Sequence, residues 1–362
     1  MRKNVLERIV LSIVAVGLVL AGCAQEEEGE TAEEAGERSP SDYVVGMATD
    51  VGGLGDQSFN DGTWDGLQRA EEEYGLETRL VESNQQTDYI PNLTGLAEAG
   101  ADLVFAVGFL MQDAMVEAAE NHPDTYFAGI DIALDPENAP ENAVGIQWKE
   151  QQAGYLAGIV AAHMTAEYAD RSDRLNADKV VGVVIGLDIP PVERYQAGYY
   201  AGVKSVDSEI RVISATAGAF DNQSAGKELA LGMIDQGADI VFHVAGLTGL
   251  GIINAAAERG VFAIGVDVDQ NHVAPAAVLT SAMKGITQGA YLTVQDMMEG
   301  SFQGGQNLVF GVADQAVDIA PFHEQSDLIP QAVLDAVDSA RSQIDAGDLT
   351  VPESREAAGM ES

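Results

Sequence analysis

Basic residues are scarce: 18 lysines and arginines stand against 58 aspartates and glutamates, a formal charge of −40. Such a balance repels nucleic acid and anionic lipid, so neither is an expected partner, and polyanionic ligands are not steered toward the chain. With only six lysines, the acidic excess reads as a surface adapted to concentrated salt, where screening removes the self-repulsion left in dilute buffer. The apolar run at the N-terminus also falls short. "IVLSIVAVGLVLAG", ending at Gly22, has fourteen residues, too few to span a membrane comfortably and suited to the apolar region of an export signal. Histidine offers no metal set: His122, His163, His243, His272 and His323 form no i,i+4 pair, and no His/Cys/Asp group has metal-ligand spacing. No cofactor or metal is expected, which counts against a metal-dependent hydrolase. A DNA-binding regulator would need a helix-turn-helix and a basic surface, whereas this N-terminus reads as an export signal with an acidic tether.

Arg2, Lys3 and Arg8 precede the apolar run, and "LAGC" follows it. That motif resembles a lipobox, in which the thiol of Cys23 is acylated and the cysteine becomes the mature N-terminus; the alternative is a short anchor helix with an idle thiol. Small residues at Ala21 and Gly22 are what a signal peptidase needs. The stretch "AQEEEGETAEEAGERSPS" then carries seven glutamates and no large apolar side chain, so it cannot pack. Residues 1–22 are therefore expected to be an export leader and 23–41 an acidic disordered tether. The rest is placed outside the cytoplasm, on the membrane through Cys23.

At 362 residues with 46% hydrophobic content, the chain can bury two cores, and an internal repeat says how. "DLVFAVGFLMQDAMVEAAENHPDTYFAGIDIA" lies over "DIVFHVAGLTGLGIINAAAERGVFAIGVDVD", with 29 residues from Asp102 to Asp131 and 28 from Asp239 to Asp267. Upstream, Gly46 and Gly182 are 136 apart in matching strand-like runs. Each half alternates short β-branched runs with longer helical ones, the pattern of a parallel sheet covered on both faces. The expected fold is α/β, two Rossmann-like lobes with a ligand cleft between them. Residues 42–148 form the first lobe, 149–270 the second, 271–325 crossover segments completing both, and 326–362 a C-terminal helix and loose tail. Ligands of such sheets bind beyond the carboxyl ends of the strands. Asp50, Asp131, Gly246 and Asp267 all fall there. "GLTGLG" after the strand containing His243 lacks G-x-G-x-x-G order and reads as a tight turn opening a helix. Phe59, among small polar residues in "DQSFNDGTW", is an aromatic that a core would not ask for at that place.

The run "GLGDQSFNDGTWDGL", followed in order by "VFAVGF", "FAGID", "GADIVFHVAGLTGLG" and "IGVDVDQ", resembles the basic membrane protein (BMP) family of substrate-binding lipoproteins over residues 42–325. Members of that family include purine-nucleoside receptors of ABC importers. The resemblance implies a type I periplasmic-binding-protein fold, no enzymatic activity, a monomer, and permease subunits as partners. It implies further that Phe59 and Phe220 stack on the two faces of a purine and that Asp131 accepts hydrogen bonds from the base edge. Asp267 and Lys284 would hold ribose hydroxyls, with Asn60, Asp50 and Gly246 completing the site. The residue types suit those roles: a base offers a flat π-face and a ribose diol both donates and accepts. Each residue also has a plainer reading, Asp131 and Asp267 as polar strand ends, Phe220 as a satellite core residue, Lys284 as a solvated lysine. The segment "GLDIPPVERYQAGYYAG" faces the cleft in the family, but its Ile189 and Pro190–Pro191 leave the contacts undefined here. A nucleoside-hydrolase-like enzyme and a receptor for another small ligand such as a sugar stand as alternatives.

Overall fold

Short runs rich in valine, isoleucine and alanine make strands buried on both faces, as a helix-covered parallel sheet requires. The structure, a computed structural model, describes residues 38–360. The expected leader, Cys23 and the tether up to Glu37 lie outside the described residues. The chain first lays down β1 (Val44–Thr49), α1 (Phe59–Tyr74), β2 (Glu77–Val81), α2 (Tyr89–Glu98) and β3 (Leu103–Val107). Next come α3 (Gln112–Asn121), β4 (Tyr126–Ile130) and β5 (Ala143–Trp148). A second series follows: α4 (Glu150–Ala166), β6 (Val180–Ile185), α5 (Pro190–Val206), β7 (Arg211–Thr216), α6 (Gln223–Ile234) and β8 (Ile240–Val244). It continues through α7 (Leu247–Arg259), β9 (Phe262–Asp267) and β10 (Val278–Lys284). The chain then passes through α8 (Ile286–Met298), β11 (Gln306–Phe310), β12 (Val317–Ile319) and α9 (Gln331–Ala346).

Two six-stranded sheets result, in the orders β11-β5-β4-β3-β1-β2 and β12-β10-β9-β8-β6-β7. The orders are equivalent strand for strand, so the sequence repeat is a repeat of topology. Gly46 and Gly182 occupy matching positions of the central strands β1 and β6. One strand departs from the expected all-parallel pairing: β12 runs antiparallel to β10, because the chain arrives at that edge from β11 of the other lobe. The lobes are joined three times, at β5 to α4, β10 to α8 and β11 to β12. In the interface between α4 and α5, Gly154 and Gly158 approach the backbone of Tyr195 and Tyr199, while Gly198 and Gly202 approach that of Gln151 and Tyr155. Without side chains at these points, the two helices close to backbone contact.

Both ends of the described chain are more engaged than the sequence suggests. Arg38, placed in the tether, donates to Asp102 Oδ1 at 2.6 Å, and Asp102 Oδ2 also accepts from Val44 N at 2.9 Å. At the other end, Val333, Val337, Ala340 and Ile344 are the buried stripe of α9, which packs on α4. The segment after it does not trail loosely. Val351 is buried, Gln151 Nε2 donates to Glu353 Oε1 at 3.1 Å, and the Arg355 amide donates to Glu193 Oε1 at 3.0 Å. The Arg355 guanidinium also pairs with Asp188.

Candidate functional site

The carboxyl ends of both sheets face one cleft, as strand direction dictates. Asp50 follows β1, Gly108 follows β3 and Asp131 follows β4; in the other lobe Gly246 precedes α7, while Asp267 and Lys284 end β9 and β10. Phe59 is the first residue of α1 rather than a loop residue, held half-buried at the cleft edge. The repeat extends to backbone strain. Asp131 and Asp267 both adopt left-handed conformations, at φ 60° and 66°, which cost a non-glycine residue about 1–3 kcal/mol each and persist where the surrounding structure over-determines the backbone.

A cluster of charge lies at the floor. Lys284 is 4% exposed, so it is a buried lysine and not the solvated one expected of an ordinary lysine. Its Nζ donates to Asp131 Oδ2 at 2.6 Å and lies 3.5 Å from Glu150 Oε1 and 3.8 Å from Asp267 Oδ1. The rings of Phe59, Trp148 and Tyr195 stand 4.9, 5.4 and 5.8 Å from the same nitrogen. Burial would lower the lysine's pKa, but the carboxylates of Asp131, Asp267 and Glu150 outweigh it and raise it. Glu150, fully buried at the start of α4, binds Arg194 Nε through Oε2 at 2.6 Å. Burial pushes the Glu150 and Asp267 carboxyls up against the pull of Lys284. Ser58 Oγ donates to Asp267 Oδ2 at 2.7 Å across the lobes, and Tyr195 OH reaches Oδ1 at 3.4 Å. A further cross-lobe bond runs from Gln270 Nε2 to the Gln57 carbonyl at 3.0 Å.

Asp50 and Asp56 organise the opposite wall. Asp50 Oδ1 accepts from Gly52 N at 2.8 Å and Asn60 Nδ2 at 3.2 Å, and burial pushes its carboxyl up to about 6. Asp56 accepts from the amides of Ser58, Asn60 and Asp61 at the start of α1 and is pushed by burial up to about 7. Three buried oxygens around the cleft, Asn60 Oδ1, Asp131 Oδ1 and Glu150 Oε1, meet no donor among the described residues. Such groups are rare in folded proteins and ask for a partner.

All eight residues singled out from the sequence, Asp50, Phe59, Asn60, Asp131, Phe220, Gly246, Asp267 and Lys284, line one cavity of about 570 Å³ counted with its mouth. Phe109, Leu110, Ile189, Pro191 and Val192 add an apolar stretch of wall, and Asp56 and Tyr195 add polar groups to it. The contacts of the segment around Ile189 are thereby defined: Pro191, Val192 and Tyr195 share one face at the start of α5. Tyr195, Ser58 and Glu150 were missed in the sequence. Helical spacing from Pro191 could have suggested Tyr195, whereas nothing near Glu150 marks it.

A family model described as Bmp, ABC transporter substrate-binding protein PnrA-like, matches residues 43–355. The chain belongs to this family. It is 28% identical over 373 residues to the ABC transporter nucleoside-binding protein BmpA of Lactococcus lactis subsp. cremoris, covering 97% of this chain and 99% of that one. Basic membrane protein A of Borreliella afzelii is 30% identical over 308 residues, 84% of this chain and 90% of its own. Among solved structures, an ABC transporter solute-binding protein from Aeropyrum pernix K1 matches with a TM-score of 0.79 at 26% identity, covering 88% of this chain and 95% of that one. The Bmp-family protein is thus an ABC-transporter substrate-binding protein of the type I fold and not an enzyme. Proteins of this family work outside the cytoplasm, and no described helix is long and apolar enough to cross a membrane.

Proposed function

We propose that the protein binds a purine nucleoside between its lobes and delivers it to the permease of an ABC importer, working as a monomer. The observation that carries this is the buried Asp131 Oδ1, which meets no donor among the described residues, in an aromatic-edged cleft, an acceptor suited to the N–H edge of a flat base. Phe59 and Phe220 stack on the base, Asn60 Oδ1 accepts a further N–H or O–H, and Asp267 with Lys284 engages the ribose diol. Asp50 and Gly246 complete the sugar end. The nucleoside-binding relative in Lactococcus lactis supports the same ligand class. A phosphate would set negative charge against Asp50 and Asp267, so nucleotides bind poorly. Calorimetry with guanosine, inosine and adenosine, their bases and their monophosphates tests the reading. Nucleosides are expected to bind tightest, Asp131→Ala to weaken them all, and Phe59→Ala to lose about 1–3 kcal/mol of stacking. Equal affinity for free bases, or preference for hexoses, would replace this ligand class.

The same reading includes a lipid anchor at Cys23. Each buried acyl methylene contributes about 0.8 kcal/mol, so two or more chains hold a protein at a membrane where one exchanges. Cys23→Ser is expected to release the protein from the membrane fraction or stall its processing.

A further inference from the structure

Glu150 does not line the cavity, yet it is wholly buried beside Lys284 with one oxygen spent and one unspent. Oε2 is fixed by Arg194 at 2.6 Å; Oε1 has no hydrogen-bond donor among the described residues and faces the Lys284 ammonium at 3.5 Å. Lys284 has three N–H donors, and among the described residues its one hydrogen bond is to Asp131 Oδ2. A shift of the ammonium by a fraction of an ångström to an ångström would exchange Asp131 for Glu150 as its partner.

Purine bases differ in what they ask of Asp131. A hypoxanthine edge presents one donor, N1–H, which Asp131 Oδ1 can accept while Oδ2 keeps Lys284. A guanine edge presents two neighbouring donors, N1–H and the 2-amino group, which fit both oxygens of one carboxylate. Asp131 can take guanine in that bidentate way only if Lys284 gives up Oδ2. Building on the nucleoside reading above, we propose that Glu150 is a specificity-determining positioning residue: it receives the Lys284 ammonium when a two-donor base occupies Asp131. One charge-assisted hydrogen bond is then exchanged for another inside the same buried cluster. Without Glu150 the ammonium would be left with the more distant Asp267 Oδ1, 3.8 Å away and already approached by Tyr195 OH, and only two-donor bases would bear the loss.

The test is calorimetry on the full chain with guanosine and inosine, for the wild type, Glu150→Leu, and Glu150→Leu combined with Arg194→Leu. The double variant removes the guanidinium that the single variant leaves unpaired. Guanosine affinity is expected to fall roughly ten- to hundredfold in both variants, the size of one charge-assisted hydrogen bond, while inosine changes by no more than about threefold. With only six lysines in the sequence, the Lys284 Nζ resonance can also be followed in ¹⁵N-lysine-labelled protein; it is expected to move with guanosine, and much less with inosine. Equal losses for the two nucleosides, recovery of guanosine binding in the double variant, or a Lys284 resonance indifferent to guanosine would each overturn the proposal and leave the nucleoside reading standing. A wild-type protein that binds neither nucleoside would overturn both.

Discussion

Single carboxyl groups in the cleft tie stability to pH in an unusual direction. Burial raises Asp50 to about 6 and Asp56 to about 7 from an ordinary value of 3.8, so the folded protein holds these protons more tightly than the unfolded chain. Their contribution is fully present below about pH 4 and is lost as pH rises through 6 and 7. Asp135 is exposed and Asp88 and Asp207 are partly so, and all three are shifted the other way by hydrogen bonds from Asn138, Gln85 and Lys179, so what they contribute is lost as pH falls below the ordinary aspartate range. Thermal melts should therefore show stability rising from about pH 8 to about pH 5, and Asp50→Asn, which keeps the acceptor for Gly52, should flatten part of that rise. A melting temperature that falls steadily on acidification from neutral would contradict the assignment. At this scale the sequence was informative about side chains at strand ends, because strand direction alone sends Asp50, Asp131 and Asp267 to the cleft. Glu150 and Lys284 were harder to read. Their burial depends on how α4 and β10 pack at the lobe junction, and no local pattern encodes that packing.

Between elements, the crossing of α4 and α5 sets the site's depth. A Cβ on Gly198 would fall within van der Waals distance of the Gln151 carbonyl, and one on Gly154 would meet that of Tyr195. The helices would have to separate, and Glu150, Arg194 and Tyr195 lie at or near their first turns. Gly198→Ala is expected to destabilise the protein by about 1–3 kcal/mol, as overpacking does, and to weaken ligand binding through Tyr195. Gly232, exposed in α6 with nothing near its missing side chain, is the control: Gly232→Ala should be neutral or stabilising by about 0.5–1 kcal/mol. Urea midpoints for the two variants separate helix propensity from helix crossing, and equal shifts would remove the crossing from the account. The repeat made the strand order legible, since matching runs from Asp102 to Asp131 and from Asp239 to Asp267 can only build equivalent units. The reversal of β12 and the docking of residues 347–360 were not legible, because both are decided by partners far away in sequence, Lys284 and Ala282 for β12 and Gln151 and Glu193 for the tail.

Over the whole molecule, charge sets the condition under which the fold is most stable. A formal charge of −40 on 362 residues repels itself at distances that salt screens, with a Debye length near 10 Å at about 0.1 M and 3 Å at about 1 M. Exposed ion pairs such as Lys227–Glu258 and Arg79–Glu77 do not offset this, since each is worth about 0–1 kcal/mol and is itself screened. Loss of repulsion should therefore outweigh loss of pairing, and the melting temperature should climb from dilute buffer to molar potassium chloride. Ligand binding should respond differently. The Asp131–Lys284–Glu150 cluster is buried, so mobile ions reach it little, and a nucleoside brings no net charge to be steered. Nucleoside affinity should stay within about threefold across the same salt range in which the melting temperature rises, whereas a charged ligand would show a steep dependence. Melting curves and calorimetry on one sample series measure both. A flat or falling melting temperature would mean that the acidic residues sit too far apart to repel, and an affinity that fell steeply with salt would mean that the cleft recognises charge instead of a neutral base and sugar.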